Sequence, residues 1–522
     1  MRDSRQSEFP AADSPLHERR GDKRRSLRAS WWARACAAVV ICAAAAIASP
    51  AQTFTTLLSF DNTDGAEPLS TLIQATDGNL YGTTYGGGAQ DTGTVFKIAP
   101  SGALTTLYSF CSRGGRQCLD GDEPTAPLVQ GVDGSFFGTT PNGGVNGRGT
   151  VFEINSSGAE AVLYSFCARS ACTDGVSPYG GLVQATDGNL YGTTDSGGAH
   201  LRGTVFRITS RGKLTTLYSF CSLRGCVDGL NPVAGLVQGT DGDFYGTTYL
   251  GGANSCPFAE GNHGCGTLFK ITPSGTLTTL YSFCSQSDCA DGAIPTGALI
   301  QATDGNLYGT TYEGGETSSA CNGCGTVFKI THGGVLTTLY RFCSQSGCAD
   351  GALPEAGLVQ ASDGNFLGTT FYGGTGTVCN NGCGTVYEIT PSATLTTLHS
   401  FNSTDGSYPE AGLVQDTNGI LYGTTFEGGA NGEGTIFSLS LGLGPFVETQ
   451  PTSAKVGKPI NILGTSLTGA TSVTFNGTPA TFTVLSPSLI RTTVPAGATT
   501  GPVQVVTPGG TLSSNVPFRV IP

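Results

Sequence analysis

Seven aspartates, each followed by glycine, recur along the chain at Asp64, Asp120, Asp174, Asp228, Asp291, Asp350 and Asp405. A carboxylate repeated at one loop position offers oxygen ligands to calcium, or acceptors to sugar hydroxyls. The same Asp-Gly pair also suits an Asx turn that caps its own loop. Seven glutamines, Gln74, Gln130, Gln184, Gln238, Gln301, Gln360 and Gln415, close short apolar runs. They would either ring a channel and hydrogen-bond a ligand, or pair with the backbone of a neighbouring repeat. These two sets are the candidate ligand-binding residues. Glu123, Glu355 and Glu410 stand beside a recurring proline, and carboxylates on such loops would suit a polysaccharide hydrolase or lyase. Glutamate occurs there in only some copies, as a local catalytic site requires and as random surface variation also produces. His200, His263, His332 and His399 occupy unrelated positions, and Gly86-Gly87-Gly88 opens no helix, so neither a histidine metal site nor a phosphate loop is expected. No catalytic residue, resident metal or cofactor is assigned, with calcium at the aspartates the one candidate.

Sixteen cysteines beyond residue 51 fall into eight close couples: Cys111 with Cys118, Cys167 with Cys172, Cys221 with Cys226, Cys256 with Cys265, Cys284 with Cys289, Cys321 with Cys324, Cys343 with Cys348, and Cys379 with Cys383. An even count in local couples within an exported chain reads as disulfides. Zinc is the rival, because Cys321-x-x-Cys324 has ligand spacing, but it needs two such pairs to converge. Each short loop closed would contribute about 2–3 kcal/mol in the chain-entropy model.

These residues belong to a block that recurs seven times. It runs Asp-Gly-x-x-Pro, Leu-(Val/Ile)-Gln, Asp-Gly, Gly-Thr-Thr, Gly-Thr-(Val/Leu/Ile)-(Phe/Tyr) and a strand like Leu-Tyr-Ser-Phe. The Gly-Thr-Thr units begin at Gly82, Gly138, Gly192, Gly246, Gly309, Gly368 and Gly423. In one copy the strand-like runs are 181–184, 190–194, 203–209 and 214–220, with Asp187-Gly188 expected to form a type I′ hairpin turn. Four antiparallel strands per copy make a propeller blade. The aromatic columns Tyr81, Tyr191, Tyr245, Tyr308 and Phe96, Phe206, Phe269, Phe328 would pack one blade on the next. The first run, 53–60, matches a fourth strand while the last copy stops at a third, so the N-terminal strand should complete the seventh blade and remove exposed edges. The variable connections and all the cysteine pairs then lie on one face, where a ligand is expected.

The repeats, exemplified by Asp187-Gly188-Asn189-Leu190-Tyr191-Gly192-Thr193-Thr194 and Gly203-Thr204-Val205-Phe206, resemble the Gloeo/Verruco (GloVer) tandem repeat of exported "choice-of-anchor" bacterial proteins. The resemblance covers about residues 53–441 and implies an extracellular propeller without an established activity. From Pro445 the pattern changes. Gly457-Lys458-Pro459-Ile460-Asn461-Ile462-Leu463-Gly464, Val473-Thr474-Phe475-Asn476-Gly477 and Val494-Pro495-Ala496-Gly497 resemble the IPT/TIG immunoglobulin-like domain, which implies a spacer or adhesion module. The expected organisation is a signal peptide over 1–51, a seven-bladed β-propeller over 52–443 and an IPT/TIG β-sandwich over 444–522, all-β throughout.

The leader places Arg19, Arg20, Lys23, Arg24, Arg25 and Arg28 before an apolar stretch, 35–47, that is short for a membrane span, and Ser49-Pro50-Ala51 offers a cleavage point. A retained signal anchor is the alternative; lipid attachment at Cys36 or Cys42 is not expected. Nine of the 26 Lys and Arg and five of the 38 Asp and Glu lie in this leader, which leaves the remainder at −16. Such acidity excludes nucleic acid and anionic membranes as partners. The chain is therefore expected to be secreted or held at the cell surface as a monomeric, non-catalytic scaffold. Its ligand would be an extracellular glycan or protein, with a polysaccharide-active enzyme as the alternative.

Overall fold

The computed structural model describes residues 52–521, apart from 114, 259–262 and 319–320; the expected signal peptide lies outside the described residues. Seven four-stranded antiparallel sheets follow one another. Blade 1 comprises Ile73–Gln74, Leu80–Thr84, Thr94–Ile98 and Leu104–Ser109, from the innermost strand outward. In blade 7 the fourth strand is Thr53–Ser59, paired antiparallel with Thr435–Ser440, so the two ends of the repeat array close a β-propeller as the sequence phase requires.

The recurring motifs have packing reasons. Second strands are buried along their whole length, and third strands at all but one position of the five shared by every blade. The threonine ending the Gly-Thr-Thr unit meets the threonine opening the third strand: Thr84 Oγ1 lies 2.9 Å from Thr94 Oγ1, Thr194 2.8 Å from Thr204 and Thr425 2.8 Å from Thr435. This pairing satisfies hydroxyls that would otherwise be buried alone. The glycine of the unit is required by space. A Cβ on Gly192 would meet the Phe206 ring at 2.7 Å. Gly203, before the third strand, has φ +95 and would meet Pro232 of the following blade at 2.5 Å.

Adjacent blades bury aromatic columns between them. Tyr81 stacks on Phe136 at 4.2 Å, Tyr191 on Phe244 at 4.1 Å and Tyr308 on Phe366 at 4.1 Å. Edge contacts such as Phe220 with Phe269 at 5.1 Å form a second column. Each such ring is worth about 1.5–3 kcal/mol when fully buried. The closing interface is built alike, with Phe60, Tyr422 and Ile436 packed on Leu72, Leu80, Phe96 and Ile98.

Two local expectations are corrected. The innermost strand is only two residues long, Val183–Gln184, as in every blade, because the segment before it is engaged by the preceding blade, where Thr139 Oγ1 donates to Gly180 O at 3.3 Å. The Asp187-Gly188 hairpin is not the type I′ turn. Only Gly188 has positive φ, and Gly188 N–H bonds Ala185 O while Ala185 N–H bonds Asn189 O, which leaves a three-residue loop. Asp187 stays in ordinary conformation because its carboxylate accepts from Asn189 N–H at 3.0 Å and Tyr191 OH at 2.8 Å.

The C-terminal sandwich packs a sheet of Val447–Gln450, Pro459–Gly464, Leu489–Thr493 and Phe482–Ser486 on one of Thr478–Pro479, Ser472–Phe475, Val503–Thr507 and Gly510–Ser513. Ile460, Ile462, Phe475, Ile490, Val505 and Phe518 fill its core. It rests on the hairpin turns of blades 1 and 7, where Ser488 Oγ donates to Thr76 O at 3.0 Å and Phe446 N–H to Thr417 O at 3.0 Å. The disulfide-bearing connections emerge on the opposite face.

Removing residues 52–60 leaves the strand Thr435–Ser440 as an open edge. The truncated chain should melt earlier and aggregate with concentration in light scattering; an unchanged melt would show the closing strand to be dispensable. Gly192→Val should lower stability by about 1–3 kcal/mol or more in denaturant titration, because the Phe206 ring has nowhere to move.

Candidate functional site

All eight cysteine couples form disulfides. Five of them close the connection from one blade to the next, around a three-residue 3-10 turn such as Arg224–Cys226. The recurring aspartates sit inside these loops. Asp228 is 1% exposed, and it accepts from Tyr218 OH at 2.7 Å, Ser222 N–H and Oγ at 2.9 Å, and Leu223 N–H at 3.2 Å. Asp120, Asp291 and Asp350 repeat this arrangement, and Asp174 does so without the hydroxyl. Burial and the carboxylate push the Tyr218 phenol up to about 12. Where the disulfide is missing, Asp405 instead accepts from Asn402 N–H and lies 3.0 Å from His399 Nε2, and Asp64 accepts from Asp61 N–H. Both oxygens of the five buried carboxylates are engaged by donors, so their charge anchors the loop from within.

The glutamines bridge blades. Gln130 Oε1 accepts Thr76 N–H at 2.9 Å, Gln238 accepts Thr186 N–H at 3.1 Å, Gln301 accepts Thr240 N–H at 2.8 Å and Gln360 accepts Thr303 N–H at 2.9 Å. Gln415 accepts Ser362 N–H at 2.9 Å, and Gln74 carries the belt across the closure by accepting Thr417 N–H at 3.0 Å. Their amides return to the turn of their own blade, as Gln238 does to Gly242 O at 3.1 Å. Gln74 donates instead to Asp416 Oδ1 at 2.9 Å. Gln184 ends its innermost strand in the equivalent position.

A third set of residues, largely missed in the sequence, gathers on the disulfide face. In every blade the segment ahead of the recurring proline pairs with the start of the loop after the second strand, as in Ala66 with Gly86 and Ala293 with Glu313. The residue before the proline takes positive φ each time, from Glu67 at 55° to Tyr408 at 56°. These paired segments form a rim populated by Glu67, Glu123, Glu313, Glu355, Glu410 and Glu427 and by the rings of Tyr85, Tyr179, Tyr249, Tyr312, Phe371, Tyr372 and Tyr408.

The rim is continuous from blade to blade. Tyr85 lies against Glu123 and in the field of Glu67 and Tyr179, while Tyr312 lies in the field of Glu355, Glu313, Tyr372 and Tyr249. Phe371 stacks on Tyr408 at 5.0 Å and meets Tyr372 edge-on at 4.5 Å. Of the three glutamates singled out in the sequence, Glu355 and Glu410 come together and Glu123 stands apart, with Asn142 Nδ2 donating to it at 2.7 Å.

The carboxyls of Glu355 and Glu410 face each other within hydrogen-bond reach. Burial raises both above the ordinary carboxylate range, and the charges of Glu355, Glu427 and Glu67 raise Glu410 further, so the pair holds a proton at neutral pH. Burial alone pushes Glu313 up to about 7, and its Oε2 is enclosed without a hydrogen-bond partner among the described residues. The charges that lift Glu67 are likewise all carboxylates, Glu433, Glu427, Asp91 and Glu123. Such a rim can stack a flat apolar face on tyrosine and accept hydrogen bonds from hydroxyl or amino groups.

Fold and rim together define a repeat-built, disulfide-stapled β-propeller with a β-sandwich appended to its turn face. Residues 45–259, 169–380, 226–437 and 322–470 match the Gloeobacter/Verrucomicrobia repeat, and residues 447–520 match the IPT/TIG domain. The chain belongs to the Gloeobacter/Verrucomicrobia repeat family. Comparison with curated protein sequences returns no match. Among solved structures it is similar to a fungal alcohol oxidase of the AA5 family in complex with copper, at 12% identity and TM-score 0.46, covering 90% of this chain and 99% of that one. It is also similar to the extracellular domain of a putative hybrid two-component system from B. thetaiotaomicron, at 12% identity and TM-score 0.47, covering 91% of this chain and 60% of that one. A luciferin-regenerating enzyme aligns at 11% identity and TM-score 0.38 over 76% of this chain and 98% of its own.

Carboxyls whose folded pKa lies above the unfolded value of about 4.3 stabilise the fold fully below that value, and this contribution is lost as pH rises through the folded pKa. The upward shifts of Glu355, Glu410 and Glu313 put that window between about pH 4.5 and 8. The melting temperature should therefore fall across this range. Glu410→Gln should flatten the fall and raise the midpoint at pH 8 by about 1–3 °C, and a pH profile identical to wild type would exclude the shared proton.

Proposed function

We propose that this chain is an exported, non-catalytic binding scaffold that holds an extracellular glycan on the tyrosine- and carboxylate-lined rim of its propeller. The observation that carries the reading is the rim itself. Its tyrosines and glutamates vary from copy to copy, whereas the aspartates and glutamines that recur in all copies are taken up by loop and blade contacts. Tyrosine faces suit the apolar faces of sugar rings, and carboxylates suit their hydroxyls. The sandwich rests on the turn face and leaves the rim uncovered, which fits a spacer. Eight disulfides fit an oxidising compartment, and the basic, then apolar, leader fits export with cleavage before Gln52.

The Glu355–Glu410 pair is the observation that favours the alternative, a polysaccharide-active enzyme, since a raised carboxyl is a general acid. Paired glycosidase carboxyls stand about 5 Å or more apart to flank the sugar, whereas the carboxyls of Glu355 and Glu410 interact with each other. A glycan array on the exported chain, read alongside reducing-end release, separates the two. Binding without turnover is expected, and Tyr312→Ala with Tyr408→Ala should weaken it by about tenfold or more. Reducing-end release abolished by Glu355→Gln would establish the enzyme, and an array with no bound glycan would remove the glycan reading.

A further inference from the structure

Zinc requires two cysteine pairs to converge, and in blades 4 and 5 they do. Blade 4 brings Cys256 and Cys265 from the loop after its second strand against Cys284 and Cys289 from its connection to blade 5. The sulfurs of Cys265, Cys284 and Cys289 lie within 4.8 Å of one another, and Cys256 is bonded to Cys265. Blade 5 repeats the arrangement. The sulfurs of Cys321, Cys343 and Cys348 lie within 4.8 Å of one another, with Cys324 bonded to Cys321. Ser318 Oγ lies beside this second group, at 3.4 Å from Cys321 Sγ, 3.6 Å from Cys324 Sγ and 3.6 Å from Cys348 Sγ. Cys265, Cys289, Cys324 and Cys348 are buried, so each group is shielded from water.

A tetrahedral zinc thiolate with Zn–S bonds of about 2.3 Å places its sulfurs about 3.8 Å apart. Sulfurs already gathered within 4.8 Å reach that spacing by side-chain rotation. We propose that, once their disulfides are reduced, these groups become two tetrathiolate zinc sites, Cys256, Cys265, Cys284 and Cys289 in one and Cys321, Cys324, Cys343 and Cys348 in the other. Each disulfide takes two electrons from a phosphine, which leaves as its oxide while water supplies the oxygen and the two protons, or two electrons and two protons from a dithiol that closes to its own disulfide; either route yields four thiols per group. Zinc then displaces four protons and binds four thiolates. Metal and disulfides are thus alternative staples for the same two loops, one serving the thiol form of the chain and the other the oxidised form.

Among the described residues the remaining couples have no such partner. Blades 1 to 3 carry a disulfide only in the connection to the next blade. Blade 6 carries Cys379–Cys383 in its own loop, but the connection that follows has Asn402 and Thr404 and no cysteine. The stoichiometry is therefore two metals for sixteen cysteines.

The test uses the full chain carrying Cys36→Ser and Cys42→Ser, reduced with a phosphine, exchanged into metal-free anaerobic buffer and titrated with cobalt(II) and then zinc. Two cobalt ions per chain are expected, with the tetrahedral absorption bands and the intense thiolate charge transfer of four-sulfur coordination, both lost when zinc displaces cobalt. Cys265→Ser and Cys348→Ser should each remove one ion, while Cys111→Ser and Cys379→Ser should leave two. If reduction melts the chain, the readout becomes zinc-dependent recovery of the far-ultraviolet strand signal, expected in the parent and absent in the Cys265→Ser/Cys348→Ser double variant. A titration without an end point at two, a spectrum without sulfur charge transfer, equal losses from Cys111→Ser, or equal recovery in the double variant would each overturn the assignment.

Discussion

A sheet of four short strands has two faces and a single blade can cover neither, so the contact between successive blades is the constraint on which the rest depends. Tyr191 against Phe244 and Phe220 against Phe269 are its repeating unit. Burying a ring on each side of every sheet is favourable only if the series has no end, because a terminal sheet would expose one aromatic face and one strand edge. The chain meets this by placing Thr53–Ser59 on Thr435–Ser440, so that Phe60 takes its place over Phe96 as every later phenylalanine does over the next blade. The glycine beneath each third-strand aromatic ring and the threonine pair beside it follow from the same close packing.

That constraint sorts the recurring polar residues. A side chain present in every copy is available to meet a need present in every copy, and blade packing has two: turns that need acceptors across the interface, and long connections that need an internal anchor. Gln238 meets the first by accepting Thr186 N–H, and Asp228 the second by gathering Tyr218, Ser222 and Leu223. Residues that differ between copies are free of these duties. They are the tyrosines and glutamates of the rim, where the backbone conformation is repeated and the side chains are not.

Charge follows the same division. In the five disulfide loops the aspartates are buried with full sets of donors, whereas Glu355, Glu410 and Glu313 are enclosed with few, so burial lifts all three, neighbouring carboxylates lift Glu410 further, and the Glu355–Glu410 pair retains a proton. Raised carboxyls also occur on the turn face, where burial lifts Asp416 and lifts Glu448 of the docked sandwich beside it.

The sequence by itself determined the seven copies, the strand order within each, the cysteine couples, the closing role of the first strand and the change of domain near Pro445, because all of these are written in local spacing and periodicity. It also placed the variable loops on one face, since antiparallel order alone dictates that. Only the tertiary structure decided what each polar residue does. That Gln130 reaches Thr76, that Glu355 meets Glu410 while Glu123 does not, and that Cys265 lies beside Cys284 depend on which side chains face each other between blades and between loops. The turn at Asp187-Gly188 differed from its expected type for the same reason, as Tyr191 and Asn189 hold the aspartate in place. Contacts across a ring join residues about fifty positions apart or, at the closure, more than three hundred, and no local pattern encodes them.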